Sequence, residues 1–240
     1  MTAQAIDILA TLVGFDTTSR GSNLALIEWV EAYLSGLGVA SKRVPNADGT
    51  KANLLATIGP DVVGGVVLSG HTDVVPVDGQ DWSSDPWTLT ERDGRLYGRG
   101  TCDMKGFSAL ALAAVPLMIE RGLKRPVHLA LSYDEEVGCL GAPDLIAAIL
   151  KEVPPPAAVI VGEPTNMEAV RGHKGIATFR VTVSGVEAHS SLTHLGVSAN
   201  MAAIPLMSHL AQLSQRLEAA ADPASPFSPK GCTLTIGQIN

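Results

Sequence analysis

Four short apolar runs, Asn53–Ile58, Val66–Ser69, Val127–Tyr133 and Ala157–Val161, constrain this chain more than any other feature. Each has strand length and is bounded by Gly, Pro or Asp, the pattern of strands buried on both faces of a sheet. A helical stretch, Met104–Arg121, lies between the second and third runs, and another, Gly141–Lys151, between the third and fourth. Strand–helix–strand order of this kind requires crossovers, so the expected class is α/β, a mostly parallel central sheet flanked by helices. Upstream, Leu26, Ile27, Val30, Tyr33, Leu34 and Leu37 share one helical face that opens at Ser22 and closes at Gly38.

The character changes after about Gly172. Residues Ala177–Ser184 alternate polar and apolar, which predicts a half-exposed antiparallel strand. A long helix is predicted from roughly Val197 to Ala219, then a Pro/Ser-rich loop from Asp222 to Lys230, then a second alternating strand over Cys232–Ile239. The expected division is a larger unit over residues 1–177 and a smaller α+β unit over 178–240, the latter incomplete because the chain stops in or just after a strand.

Composition narrows the classes of function. Apolar residues make up 46% of the chain and charged residues 17%, enough for a core and unlike a disordered segment. With 17 basic against 24 acidic residues there is no nucleic-acid footprint of clustered Lys and Arg. The longest apolar run, Ala109–Ile119, is interrupted by Pro116 and is too short to span a bilayer, so no membrane partner is expected. Three cysteines (Cys102, Cys139, Cys232) without C-x-x-C spacing suggest neither a disulfide framework nor a thiolate zinc site, and a reducing, cytoplasmic setting is the default expectation.

Ligands of parallel α/β sheets collect at the carboxyl ends of strands. His71 and Asp73 follow the run ending at Ser69, Glu135 and Glu136 follow the run ending at Tyr133, and Glu163 follows the run ending at Val161. Asp103 sits in a Gly-rich turn immediately before a helix. Alone, each has a plainer reading: a surface turn, a helix N-cap, a solvated acidic pair. Together they place one imidazole and several carboxylates along one sheet edge, the donor chemistry of zinc and similar divalent ions. There are more carboxylates than one ion needs, and two divalent ions with a bridging hydroxide would balance Asp103, Glu136 and Glu163. Of the adjacent glutamates, one can bind metal while the other acts as general base. Asp73 is placed to accept a hydrogen bond from the far N–H of His71 and so fix its tautomer. His128, inside a buried-strand pattern, reads as structural, and Cys102 as packing. His173 and Lys174 read equally as binders of a substrate carboxylate or as a solvated hairpin. No dinucleotide fingerprint survives around Gly98–Gly100, because its third glycine is missing, and there is no G-x-S-x-G elbow.

The motifs His71-Thr-Asp73, Gly100-Thr-Cys-Asp-Met-Lys-Gly106, Asp134-Glu-Glu136, Gly162-Glu-Pro164 and Gly185-Val-Glu-Ala-His-Ser190, in this order, resemble those of the aminoacylase/carboxypeptidase family of co-catalytic zinc hydrolases. The resemblance implies a site with two zinc ions, for which cobalt can substitute. His71 and Glu163 would bind one ion, Asp103 would bridge both, Glu136 would bind the second, and Glu135 would be the general base. It also implies a cis peptide at Asp103–Met104, and a smaller lid and dimerisation domain whose His189 reaches across a homodimer to polarise the scissile carbonyl. The implied reaction is removal of an acyl group from a small N-acyl amino acid. One departure stands out: the family's second ion takes a further histidine from a C-terminal segment, and no histidine follows His209 here. The expectation is therefore a truncated chain holding four of five ligands, with one ion bound firmly through His71, Asp103 and Glu163 and the second weak or absent.

Overall fold

A computed structural model describes residues 1–240 and divides them into two compact units, Met1–Met167 and Glu168–Asn240. The division precedes the boundary expected after Ala177.

In the first unit the elements run α1 (Ala3–Val13), α2 (Leu24–Gly36), β1 (Ser41–Pro45), β2 (Ala52–Ile58), β3 (Val66–His71), β4 (Thr90–Arg92), β5 (Arg95–Tyr97), α3 (Lys105–Arg121), β6 (Val127–Ser132), α4 (Ala142–Glu152) and β7 (Ala158–Val161). The main sheet has the order β1-β2-β6-β3-β7. Strand β3 pairs in parallel with β6 and β7, whereas β2 is antiparallel to both β6 and β1. Only β2 therefore opposes the common direction, and the sheet is mixed but mostly parallel, as the crossover pattern predicts.

Period-two side-chain alternation builds a core on each face. Leu54, Ala56 and Ile58 of β2 join Leu129 and Leu131 of β6 beneath α1, α2 and α3. Their neighbours Leu55 and Ala130 point the other way, with Val67 of β3, against Leu145 and Ala148 of α4. Helix α2 ends where Gly38 allows it to. The glycine has φ +74, its amide donates to the Ser35 carbonyl (2.9 Å), and the Val39 amide reaches back to Leu34 (2.9 Å), a closed Schellman cap.

Three features of this unit lie beyond the sequence reading. Helix α1 is capped by Thr2, whose hydroxyl accepts from the Ala5 amide, and it buries Ala5, Ile8, Leu9, Leu12 and Val13. Strand β1 is a polar edge strand with no buried residue. The β4–β5 hairpin turns on Asp93-Gly94, both with positive φ, the signature of a primed two-residue turn.

The second unit contains a short 3₁₀ turn at Thr193–Leu195, one bridge between Val186 and Val197, and α5 (Ala199–Ala219), capped by Ser198. The strands expected over Ala177–Ser184 and Cys232–Ile239 are not formed. Alternation specifies which face a strand would bury, but a strand exists only with a ladder partner, and neither segment has one. Their apolar side chains stay exposed, Phe179 by 85% and Ile239 by 70%.

Candidate metal centre

His71 ends β3, Glu135 and Glu136 follow β6, Glu163 follows β7, and Asp103 immediately precedes Met104 and α3. The three strands are parallel neighbours, so their carboxyl ends deliver these side chains to one edge of the sheet. The imidazole of His71 is 2% exposed. Its Nδ1 donates to the backbone carbonyl of Asp73 (2.8 Å), and because a carbonyl only accepts, Nε2 of the neutral ring keeps its lone pair. That nitrogen faces Asp103 Oδ1 at 3.0 Å, Glu163 Oε1 at 3.7 Å and Glu135 Oε2 at 4.0 Å. The Asp103–Met104 peptide is cis, the geometry the family resemblance implies.

Two overlapping donor sets emerge, His71 with Glu135 and Glu163, and His71 with Asp103 and Glu136, the donor atoms of each within 4.8 Å of one another. Donors bound tetrahedrally to one zinc at about 2.0–2.2 Å lie roughly 3.3–3.6 Å apart, so these sets need little adjustment to close on an ion. Glu135 and Glu136 face different ways, one toward Glu163 and the other toward Asp103.

The role expected for Asp73 is corrected in its details. Its carboxylate oxygen stands 3.6 Å from His71 Nδ1, and the orienting bond is made by its carbonyl instead. The carboxylate has other work. It accepts from the Ser19 hydroxyl (2.7 Å) and from the backbone amides of Glu135 (3.0 Å) and Glu136 (3.2 Å), pinning the turn that carries both glutamates. Burial alone would raise the Asp73 carboxyl, but His71, the Ser19 hydroxyl and the Glu135 amide hold it below the ordinary carboxylate range.

The electrostatics call for a cation. Burial raises the Glu136 carboxyl, and the charge of Asp103 raises it further. Glu163 is raised by burial and by Asp103 and Glu135. Burial works against a charged His71, yet the adjoining Asp73 and the charge of Glu163 push the imidazole up to about 9. The ion pairs of Asp103, Glu135 and Glu163 all run to that one ring. A divalent ion would neutralise this crowd of acids, and the mix of imidazole and carboxylate suits zinc, cobalt or manganese.

Lys174 and His189 belong to the second unit. The Lys174 ammonium, in the second unit, donates to the carbonyls of Pro229 (2.9 Å) and Gly231 (2.8 Å) and clasps two segments of that unit. His189, also in the second unit, is exposed, and its Nδ1 accepts from the Ser191 amide (3.2 Å), leaving Nε2 as the protonated nitrogen of the neutral ring. His128 is fully buried and structural, its Nδ1 2.9 Å from the Thr57 hydroxyl. A contact that the sequence did not suggest is the Cys139 thiol, which donates to Glu135 Oε1 (3.6 Å).

An α/β sheet whose parallel strand tips gather one imidazole and a ring of carboxylates is a metallohydrolase scaffold. The chain belongs to peptidase family M20/M25/M40, which it matches over residues 67–233. It is 37% identical to the acetylornithine deacetylase of Proteus mirabilis (strain HI4320) over 227 residues, 94% of this chain and 57% of that protein. With the acetylornithine deacetylase of Pasteurella multocida (strain Pm70) it shares 40% identity over 190 residues, 79% of this chain and 49% of that protein. Human carnosine dipeptidase 1 superposes with a TM-score of 0.57 at 25% identity, covering 65% of this chain and 38% of that one. An M20 family metallo-carboxypeptidase from Sulfolobus solfataricus gives 0.58 at 23% identity, covering 67% and 37%, and supports the fold. The chain spans about half the length of the curated relatives it matches.

Proposed function

We propose that the Met1–Met167 unit is the catalytic metal-binding part of an amidohydrolase that removes the acetyl group from N2-acetyl-L-ornithine, giving L-ornithine and acetate. The observation that carries this reading is His71 Nε2, which faces Asp103 at 3.0 Å and Glu163 at 3.7 Å within an otherwise uncompensated acidic pocket. Similarity to two acetylornithine deacetylases supports the choice of substrate. His71, Asp103, Glu136 and Glu163 would hold the metal, two zinc ions in a complete site, with cobalt able to replace them. When bound, divalent ions polarise the acyl carbonyl and make a coordinated water acidic enough to attack at neutral pH.

The side chains of this chain do the rest. Glu135 takes a proton from the attacking water and delivers it to the amine nitrogen as the C–N bond breaks. Asp73 holds Glu135 for that transfer through its backbone amide, and holds His71 through its own carbonyl. His189, in a homodimer formed through the second unit, would donate from Nε2 to the oxyanion. A cytoplasmic biosynthetic setting fits this chemistry.

The test is a panel of N-acyl amino acids, including N-acetylornithine, N-succinyl-diaminopimelate and short peptides, assayed with added Zn²⁺ or Co²⁺. The expected result is a preference for N-acetylornithine in kcat/KM of at least about tenfold, or about 1.4 kcal/mol of transition-state discrimination. A smaller margin overturns the substrate assignment, and a succinylated preference transfers it to a desuccinylase.

A further inference from the structure

One buried ion pair lies outside the donor set. Lys51 Nζ stands 2.5 Å from Asp134 Oδ1, with the two side chains only 14% and 11% exposed. Desolvating an ammonium there is costly, so the pair persists only if its other contacts are satisfied. They are. The same ammonium donates to the carbonyl of Ser19, whose hydroxyl donates to Asp73 Oδ2. Asp73 then accepts the backbone amides of Glu135 and Glu136. On the other side Asp134 is the residue before Glu135 and holds a left-handed backbone, φ +54, unusual for a residue with a side chain. The Lys51 ammonium thus grips the glutamate turn at its entry through Asp134, and at its amides through Ser19 and Asp73.

We infer that Lys51 is a positioning residue whose ammonium fixes the Glu135–Glu136 turn toward the metal pocket through Asp134 and the Ser19–Asp73 pair. The kinetic consequence rests on the reading of Glu135 as general base given above; the structural consequence does not. Lys51 itself touches neither a donor atom of the pocket nor any reacting group, so its effect is transmitted through this network.

Amide hydrogen exchange on the whole chain, followed by NMR, tests this directly. In Lys51→Met the Glu135 and Glu136 amides should exchange at least about tenfold faster than in the unsubstituted chain, with the β6 amides of Leu129–Leu131 unchanged. Lys51→Arg, which keeps a cation for Asp134 and the Ser19 carbonyl, should restore most of the protection. In the zinc-loaded assay Lys51→Met should lower kcat by about tenfold and leave KM within about twofold, because substrate binding is untouched. Unchanged exchange at Glu135 and Glu136 in Lys51→Met overturns the inference. If that variant does not fold, Ser19→Ala decides, since it deletes only the hydroxyl bond to Asp73: faster exchange at Glu136 supports the network and unchanged exchange overturns it. If the unsubstituted chain hydrolyses no N-acyl amino acid, the proposed function fails, and the exchange data still judge the role of Lys51.

Discussion

At the scale of single residues, the useful property of His71 is that one nitrogen is spoken for. With Nδ1 committed to the Asp73 carbonyl, Nε2 has no task but to meet an ion or the acids around it. Because the imidazole is pushed up to about 9, it carries a proton at neutral pH in the metal-free chain, and a metal ion must displace that proton to bind. The sign follows: a raised pKa means proton competition strengthens as pH falls. Metal affinity should weaken by up to about tenfold per pH unit on going from about pH 8 to about pH 6, as titration calorimetry at matched ionic strength would show. Glu135→Gln should leave metal content intact and lower turnover by about 10²–10⁴-fold, and loss of metal instead would exchange the roles of Glu135 and Glu136. Asp73→Asn, which weakens the hold on both amides, should cost about 10–100-fold in metal affinity with the fold retained. His71, Asp103, Glu135, Glu136 and Glu163 were legible in the sequence because each falls at a strand end or a helix start. The working oxygen of Asp73 was not, since spacing of two residues says nothing about carbonyl against carboxylate. Ser19 and Lys51 were invisible for another reason: they lie 54 residues from Asp73 and 83 from Asp134, distances only the folded sheet can close.

At the scale of elements, the strands β2, β3 and β6 were readable because burial in the sheet leaves an uninterrupted apolar run, whereas β7, expected from the same kind of run to be buried on both faces, is an exposed edge strand. Edge strand β1, with the sequence SKRVP, gives no such signal. Helix α1 carries its apolar residues at helical spacing and was readable in principle, through Ile8, Leu9 and Leu12 after the Thr2 cap. Within β6, His128 provides a test of buried polarity. Its ring has no exposure, and Nε2 has no hydrogen-bond partner, so burial lowers its pKa below the ordinary histidine value. A lowered histidine pKa means the unfolded chain takes up protons first. The stability tied to a neutral His128 is therefore complete above about pH 6.5 and is lost as pH falls below it. His128→Gln should flatten that acid limb in denaturant titrations at about pH 7 and about pH 5, even if its stability at neutral pH is lower. In α2, Gly38→Ala forces a side chain into the left-handed cap and should cost about 1–2 kcal/mol by the same measurement.

At the scale of the whole chain, the core belongs to the first unit. Every buried residue precedes Ile149, and none occurs in Glu168–Asn240. No helix is long and apolar enough to cross a membrane. Zinc that binds the folded first unit alone should add about 2.7 kcal/mol at a hundredfold excess over its Kd, seen as a calorimetric transition that rises with zinc concentration. The ring of acids about His71 has one last effect. In a chain of net charge −7, such a ring disfavours an approaching carboxylate, and divalent cations settling there would offset that charge and lift the repulsion. An organic anion would therefore meet less resistance at this pocket after a metal ion than before it.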